Sequence, residues 1–410
     1  MGGRYRYTGL VTDYRWVVMV FYRRVGEVPG KRHTQFRDAD GRLYHEEMQG
    51  EEGFSWNQSF LYHRHPPTMI TAAETVPDGG GELRGNDPLL PRHLRTHELK
   101  LGGDVVTGRK LLLGNADVSI SYVAADADSP IYRNGVGDEL YYVEAGEAVL
   151  ESVHGALAVG EGDYVVVPAA TTHRWALRGP ELRVLVVVAE GAGHVRPPGR
   201  FLSPLGQFLD GSPYNERDIR GPERLLAVED RETEVLVRHR GGLVRYVYAH
   251  HPFDVVGWDG YNYPYALSIR DYQPSTGSLH LPPPTYITFE GPGFVVCSFV
   301  PRLFDYHPDA VPVPYNHSNV DSDEVLFYCG GDFMSRAGTG IGMGSISLHP
   351  AGFIHGPQPG SAEKAIGARR TEEYAVMIDT FQPLRLGEAV ADAEDPDYAW
   401  SWARAERGAG

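Results

Sequence analysis

The chain has 410 residues, enough for two or three domains or for one duplicated unit with an ample core. Its formal net charge is −16, with no basic block or stripe, which argues against nucleic acid and anionic membrane surfaces as partners. Glycine (49) and proline (30) are frequent enough to imply a chain rich in turns.

In chain order, Met19 begins MVFYRRVGEVPGKRHTQFR, which reads as a natural start, so residues 1–18 are expected to be a poorly ordered extension. The apolar run WVVMVFY is too short to span a bilayer and lacks a small-residue cleavage site. Residues 19–110 are read as a β-rich N-terminal region. Beyond them, few segments carry a helical apolar period. GDYVVVPAATTH, LRVLVVVAEG, GFVVCSFVP and GSISLHPAG are instead short apolar or alternating runs closed by glycine, proline or polar turn residues. They predict a mainly β protein built as a barrel or sandwich. Short helices are expected only at 222–228 and in the tail after Pro396. Cys297 and Cys329 sit in apolar strand-like runs and read as buried free thiols of a reducing compartment, so a cytoplasmic location is expected.

The chain repeats itself. Residues 132–146 read YRNGVGDELYYVEAG and residues 317–331 read HSNVDSDEVLFYCGG. Both place an Asn five positions before a Glu (Asn134 and Glu139, Asn319 and Glu324) and a Gly seven positions after it. Downstream, GDYVVVPAATTH (162–173) matches GSISLHPAGFIH (344–355) at Gly, Pro and the final His. Two motifs repeated in the same order predict a duplicated barrel, the first copy over 111–195 and the second over 276–385. Residues 196–275 then link the copies, and 386–410 form a tail.

The second copy fits H-x-N-x4-E-x6-G followed by G-x5-P-x-G-x2-H. This resembles the paired motifs of the cupin family and implies double-stranded β-helix (jelly-roll) barrels. His317 and Asn319 lie two apart and would share one face of a strand. Glu324 opens the next apolar run, and a turn at Pro350 and Gly352 leads into a strand carrying His355. Closing the sheet brings His317, Glu324 and His355 to one point. Two neutral imidazoles and one carboxylate, with coordination positions left open, suit Fe(II). The plainer alternative, polar residues on ordinary strands, must explain two matched spacings in series. Asp321 and Asp323 compete with Glu324, but Asp323 would face the other way and the repeat puts Glu139 at the equivalent place. Asn319 is expected to orient the ligands. In the first copy Tyr132 stands where His317 stands, which leaves Glu139 and His173 without a third ligand. That copy is read as a metal-free barrel kept for packing. GTGIGMG has the wrong spacing for a nucleotide fingerprint and reads as a connecting loop.

PFDVVGWDGYNYPY (252–265), VPYNHSN, SLHPAGFIHGP and GEEGFSWNQSFLYHRHPP carry a more specific resemblance, to the homogentisate 1,2-dioxygenase family, over most of residues 19–385. The resemblance implies a non-haem Fe(II) ring-cleaving dioxygenase using O2, with His317, Glu324 and His355 as metal ligands. It places the active-site histidine that accepts the phenolic proton on His280, and puts His349 close to the metal, with Tyr315 and Asn319 in the same surroundings. Phe333 stands where members that cleave homogentisate have a tyrosine, with Arg336 nearby as an alternative donor. The implied substrate is therefore homogentisate, giving maleylacetoacetate in tyrosine degradation, or a related dihydroxylated or hydroxy-amino aromatic. A trimer or hexamer is implied by analogy alone. Two rivals stand beside this reading: a cupin isomerase or decarboxylase using Mn, Ni or Zn at the same triad, and a metal-free bicupin that binds a sugar or effector.

Overall fold

The computed structural model describes residues 22–407, except 78–80, 101, 192, 282, 314, 332 and 334–338. The expectations for residues 1–18 and for Arg336 fall outside the described residues. What is described is mainly β, organised as the two copies of a cupin barrel that the repeat predicts.

The strand Leu182–Ala189 shows why the apolar runs do not alternate. It lies between Glu139–Ala145 and Val118–Ala125 near the middle of a nine-stranded sheet. Val184, Val186 and Val188 face one core, which they share with Leu150 and Trp175 of the opposing seven-stranded sheet. Leu185, Val187 and Ala189 face a second core containing Phe289, Phe327 and Ile378 of the other barrel. A strand buried on both faces needs apolar residues at every position, and β-branched valines satisfy the pleated geometry as well. The two copies thus pack through this sheet. Tyr164 hydrogen-bonds Ser298 at 2.8 Å, and the Tyr142 and Phe327 rings meet edge-on at 6.1 Å.

The second barrel is built on a six-stranded sheet that includes Tyr374–Thr380, Asp323–Gly330 and Ser345–His349. Distant segments are sewn into both copies. Arg92–Arg95 extends the second sheet beside Ser345–His349, and Arg385–Gly387 returns to pair with Lys110–Gly114 in the first. Val255–Gly260, from the PFDVVGWDG stretch, forms a separate four-stranded sheet with Arg23–Gly26, Gln58–His63 and His45–Gly50.

The repeat persists at atomic detail. Gly146 and Gly331 both have positive φ (90° and 87°), and a Cβ on either would fall 2.3 Å or 1.9 Å from a backbone carbonyl oxygen, of Glu181 and Glu372 respectively. Only glycine fits such a site. Asp138 accepts the backbone N–H groups of Ala169 (2.8 Å) and Val195 (2.9 Å), and Asp323 likewise accepts those of Ala351 (2.8 Å) and Leu384 (2.7 Å).

Some expectations fail. Residues 222–228 form no helix: the backbone of Arg224 instead bridges to Ala156, which donates its N–H at 2.9 Å, while Leu225, Leu226 and Val228 pack on the core. The strand edge outcompetes the local helical tendency because it satisfies backbone groups while burying those side chains. The tail is helical over Ser401–Arg407. His317 and His355 lie on no extended strand; they form an isolated antiparallel bridge. Cys297 is buried and Cys329 half-buried, both as free thiols. Among the described residues no helix is long and apolar enough to cross a membrane.

Candidate metal centre

Three side chains from separate segments converge at one end of the second barrel. Glu324 projects from Asp323–Gly330, while His317 and His355 are brought together by their mutual backbone bonds, N–H to carbonyl at 2.7 and 2.8 Å. Their candidate ligand atoms all lie within 4.8 Å of one another. Nε2 of His355 is 3.1 Å from the Glu324 carboxylate and Nε2 of His317 is 3.4 Å from it. The opposite nitrogen of His355, Nδ1, donates to the Phe353 carbonyl at 3.0 Å, which leaves the Nε2 lone pair free to bind a cation. The tight turn at Pro350–Gly352 makes this possible, with Gly352 at φ 74°.

His349 is fully buried and lies across from Glu324 in the sheet. Its Nδ1 reaches the carboxylate at 2.9 Å, and its Nε2 meets the Tyr398 hydroxyl at 3.0 Å. The Tyr398–His349 pair therefore fixes the carboxylate from behind. Burial alone would raise the Glu324 carboxyl, but His317, His349 and His355 together hold it well below the usual carboxylate range. Asp379, across the sheet from Glu324, is pushed up to about 7 by burial and by that neighbouring carboxylate. The Asn319 side chain donates to Asp379 at 3.4 Å, and its backbone carbonyl accepts the Gly352 N–H at 2.7 Å, which braces the turn that carries His355. Asp323 faces away and clamps backbone.

A cavity of about 210 Å³ opens beside His317 and Glu324. Glu324 and His317 form one wall, His280, Tyr315 and Arg302 another, and Phe299, Phe304 and Met377 supply apolar surface. Tyr315 stands edge-on between His280 and His317, at 5.3 and 5.6 Å between ring centroids. Nδ1 of His280 lacks a hydrogen-bond partner and lies 3.8 Å from Asp305. Burial lowers the His280 imidazole below its ordinary value; Asp305 opposes this and Arg302 adds to it. Phe333, expected beside the substrate, does not line this cavity; its ring packs edge-on against Tyr328 at 5.0 Å. Sequence reasoning missed Arg302, Asp305 and Tyr398. Arg302 and Asp305 lie outside the repeated motifs, and Tyr398 arrives from the tail, so no local pattern marks any of them.

The donor set fits a divalent transition ion: two imidazole nitrogens and one carboxylate, gathered beside a cavity that leaves room for further ligands. The equivalent place in the first copy is built differently. Glu139 receives the Arg109 guanidinium at 2.7 Å and the Tyr141 hydroxyl at 2.7 Å, and His173 Nε2 lies 4.0 Å away.

A family model described as "Homogentisate 1,2-dioxygenase N-terminal" matches residues 55–269. The chain belongs to this family. A Saccharolobus solfataricus protein named "Putative dioxygenase SSO1533" is 42% identical over 391 residues, covering 94% of this chain and 99% of that relative. "Homogentisate 1,2-dioxygenase" of Rhodopseudomonas palustris (strain BisA53) is 25% identical over 417 residues, covering 93% and 91%. Among solved structures, a "Cupin 2 conserved barrel domain protein" from Leptotrichia buccalis aligns over 71% of this chain and 96% of its own, with TM-score 0.30 and 9% identity.

Proposed function

We propose that this dioxygenase-family protein opens a dihydroxylated aromatic ring with O2, at an Fe(II) held by His317, Glu324 and His355. Homogentisate or a close relative is the proposed substrate. The observation that carries the reading is the meeting of those three side chains, two of which, His317 and Glu324, line a cavity that His280 also lines. When bound, Fe(II) supplies Lewis acidity and the electron transfer that lets O2 react with an aromatic ring.

The chain's own residues do the rest. His280, kept neutral by burial, accepts the proton of a substrate hydroxyl at its ring nitrogen. The Phe299, Phe304 and Met377 surface holds the ring and excludes water. Tyr315 spaces His280 from His317, and the Tyr398–His349 relay keeps the Glu324 carboxylate oriented. Arg302 offers a cation to a substrate carboxylate. In the first copy the Arg109 guanidinium takes the role of counter-charge to Glu139, which supports reading that barrel as metal-free scaffold. Cytoplasmic location and trimeric or hexameric assembly belong to the same proposal.

The test is oxygen consumption by Fe(II)-loaded protein with homogentisate and a panel of substituted hydroquinones and catechols. One O2 consumed per ring opened, with Fe(II) required, is the expected result. No oxygen uptake with any of these rings, in protein shown to hold iron, overturns the reading.

A further inference from the structure

We infer that His65, Asp230 and His250 form a second divalent-cation site, separate from the one at Glu324. Nε2 of His65 lies 3.7 Å from one Asp230 oxygen, and Nδ1 of His250 lies 2.9 and 3.1 Å from the two. The three candidate ligand atoms fall within 4.8 Å of one another. Each residue comes from a different segment: His65 follows the strand Gln58–His63, His250 follows Gly242–Tyr248, and Asp230 lies in the coil before Thr233. The stretches around the two histidines are held side by side without Asp230, through Ala249 N–H to the Met69 carbonyl at 2.9 Å and Arg64 N–H to the Asp254 carbonyl at 3.3 Å. Half of the site is therefore preformed by backbone pairing.

A second carboxylate orients the first ligand. Asp254, buried, takes His65 Nδ1 at 3.0 Å and the His65 backbone N–H at 2.8 Å, while its other oxygen is held by His63 at 2.7 Å. With Nδ1 donating to Asp254, the lone pair of His65 is on Nε2, the atom turned toward Asp230. This carboxylate–imidazole arrangement is the one that fixes metal-binding histidines elsewhere. On the other side, the proton that His250 shares with Asp230 is the one a cation would replace. The imidazole rings are stacked at 3.8 Å with 5° between planes. Binding one ion requires them to splay, and Asp230, whose side chain is 50% exposed, has the freedom to follow. A plain stacked pair held by a surface carboxylate is the competing account. It gives no reason for a second, buried carboxylate to select the tautomer that points a lone pair at the first.

Two imidazoles and a carboxylate, with a position open to water, suit Zn2+ or an ion of its class. Such an ion would reinforce the pairing that already joins Ile70–Val76 to Gly242–Tyr248, and would add to it a tie between His65 and Asp230 in the coil before Thr233.

Equilibrium dialysis of the chelator-stripped full chain against Zn2+, followed by metal analysis, tests this. Wild type should hold one Zn2+ more than His65→Ala/His250→Ala, and the difference should persist when both are made in a His317→Ala/His355→Ala background. Circular dichroism and a cooperative melt confirm that each variant is folded. Equal Zn2+ content with and without His65 and His250 overturns the site, whatever the outcome at Glu324. Should that double variant unfold, Asp230→Asn replaces it, with Zn2+ affinity expected to fall at least ~10-fold; unchanged affinity overturns the inference equally.

Discussion

The Arg109 guanidinium lies 2.7 Å from the carboxylate of Glu139, the residue that corresponds in the repeat to Glu324. Arg109 also donates to the Tyr141 hydroxyl and the Val105 carbonyl, each at 2.8 Å, so its own donors are well satisfied. Burial alone would raise the Glu139 carboxyl, yet it is held below its ordinary value, with Arg109 the leading cause. Removing one partner of a buried pair leaves the other charge unmatched, at a cost of about 3–5 kcal/mol. Arg109→Ala should lower stability by that order in denaturant unfolding, while the iron content of the protein stays as in wild type. An unaltered unfolding midpoint would show that the pair carries no net weight.

The second barrel behaves in the opposite way if its carboxylate serves a cation. His317→Ala, Glu324→Ala and His355→Ala should each abolish stoichiometric iron, whereas His173→Ala should leave it intact. Metal analysis after loading and desalting decides this. Iron retained in full by Glu324→Ala removes that carboxylate from the site.

How much of this could be read from sequence follows from how local each signal is. The Asn-to-Glu and Pro-to-His spacings repeat, so the convergence of His317, Glu324 and His355 is legible in the sequence. The strandless bridge that carries His317 and His355 could not, because its hydrogen bonds join residues 38 positions apart and leave no periodicity. Arg109 was invisible for a related reason: it lies upstream of the first repeated motif, and only the closed barrel places it beside Glu139. The expected helix at 222–228 shows the limit of local propensity, since the open edge beside Ala156 decided the matter.

His280 should act as base and not as ligand. His280→Ala should keep its iron but lose about 10²–10⁴-fold in turnover. Burial lowers this imidazole, and a base works only when deprotonated, so the acid limb of kcat/KM should lie below the ordinary histidine range. Activity should therefore persist into mildly acidic buffer, and His280→Ala should lack that limb. An acid limb identical in wild type and variant would assign it to another group.

His63 makes stability depend on pH from the other direction. It is buried; burial by itself would lower its pKa, but Asp254 at 2.7 Å and Glu47 at 2.9 Å outweigh this and raise it to about 9. A pKa raised on folding stabilises fully below the unfolded value near 6.5 and fades as pH rises through about 9. Stability should thus decline between these limits, by at most ~3 kcal/mol. Melting temperatures across that range should fall in wild type and run flatter in His63→Gln. Parallel profiles would mean that the triad of His63, Asp254 and Glu47 is not what titrates.

Arg302 should decide which rings are accepted. It is half-buried on the cavity wall, with its guanidinium 5.8 Å from the Tyr286 ring and 5.6 Å from that of Phe304. Among the described residues its one side-chain hydrogen bond is to the Leu303 carbonyl at 3.2 Å, and it forms no ion pair. Two carboxylates line the same cavity, Glu324 and Glu373; Glu324 is engaged by three imidazoles and neither forms an ion pair with Arg302, so the guanidinium remains available to an incoming anion. A hydrogen bond to a charged group contributes about 1.5–3 kcal/mol, which corresponds to roughly 10–150-fold in kcat/KM. Arg302→Ala should therefore lose that factor with homogentisate, mainly through KM, and should lose little with a hydroquinone bearing a neutral methyl group. Arg302→Lys should recover part of the loss, since it restores the charge without the planar fork. Equal losses on the charged and neutral rings would show that Arg302 shapes the cavity without reading the substituent.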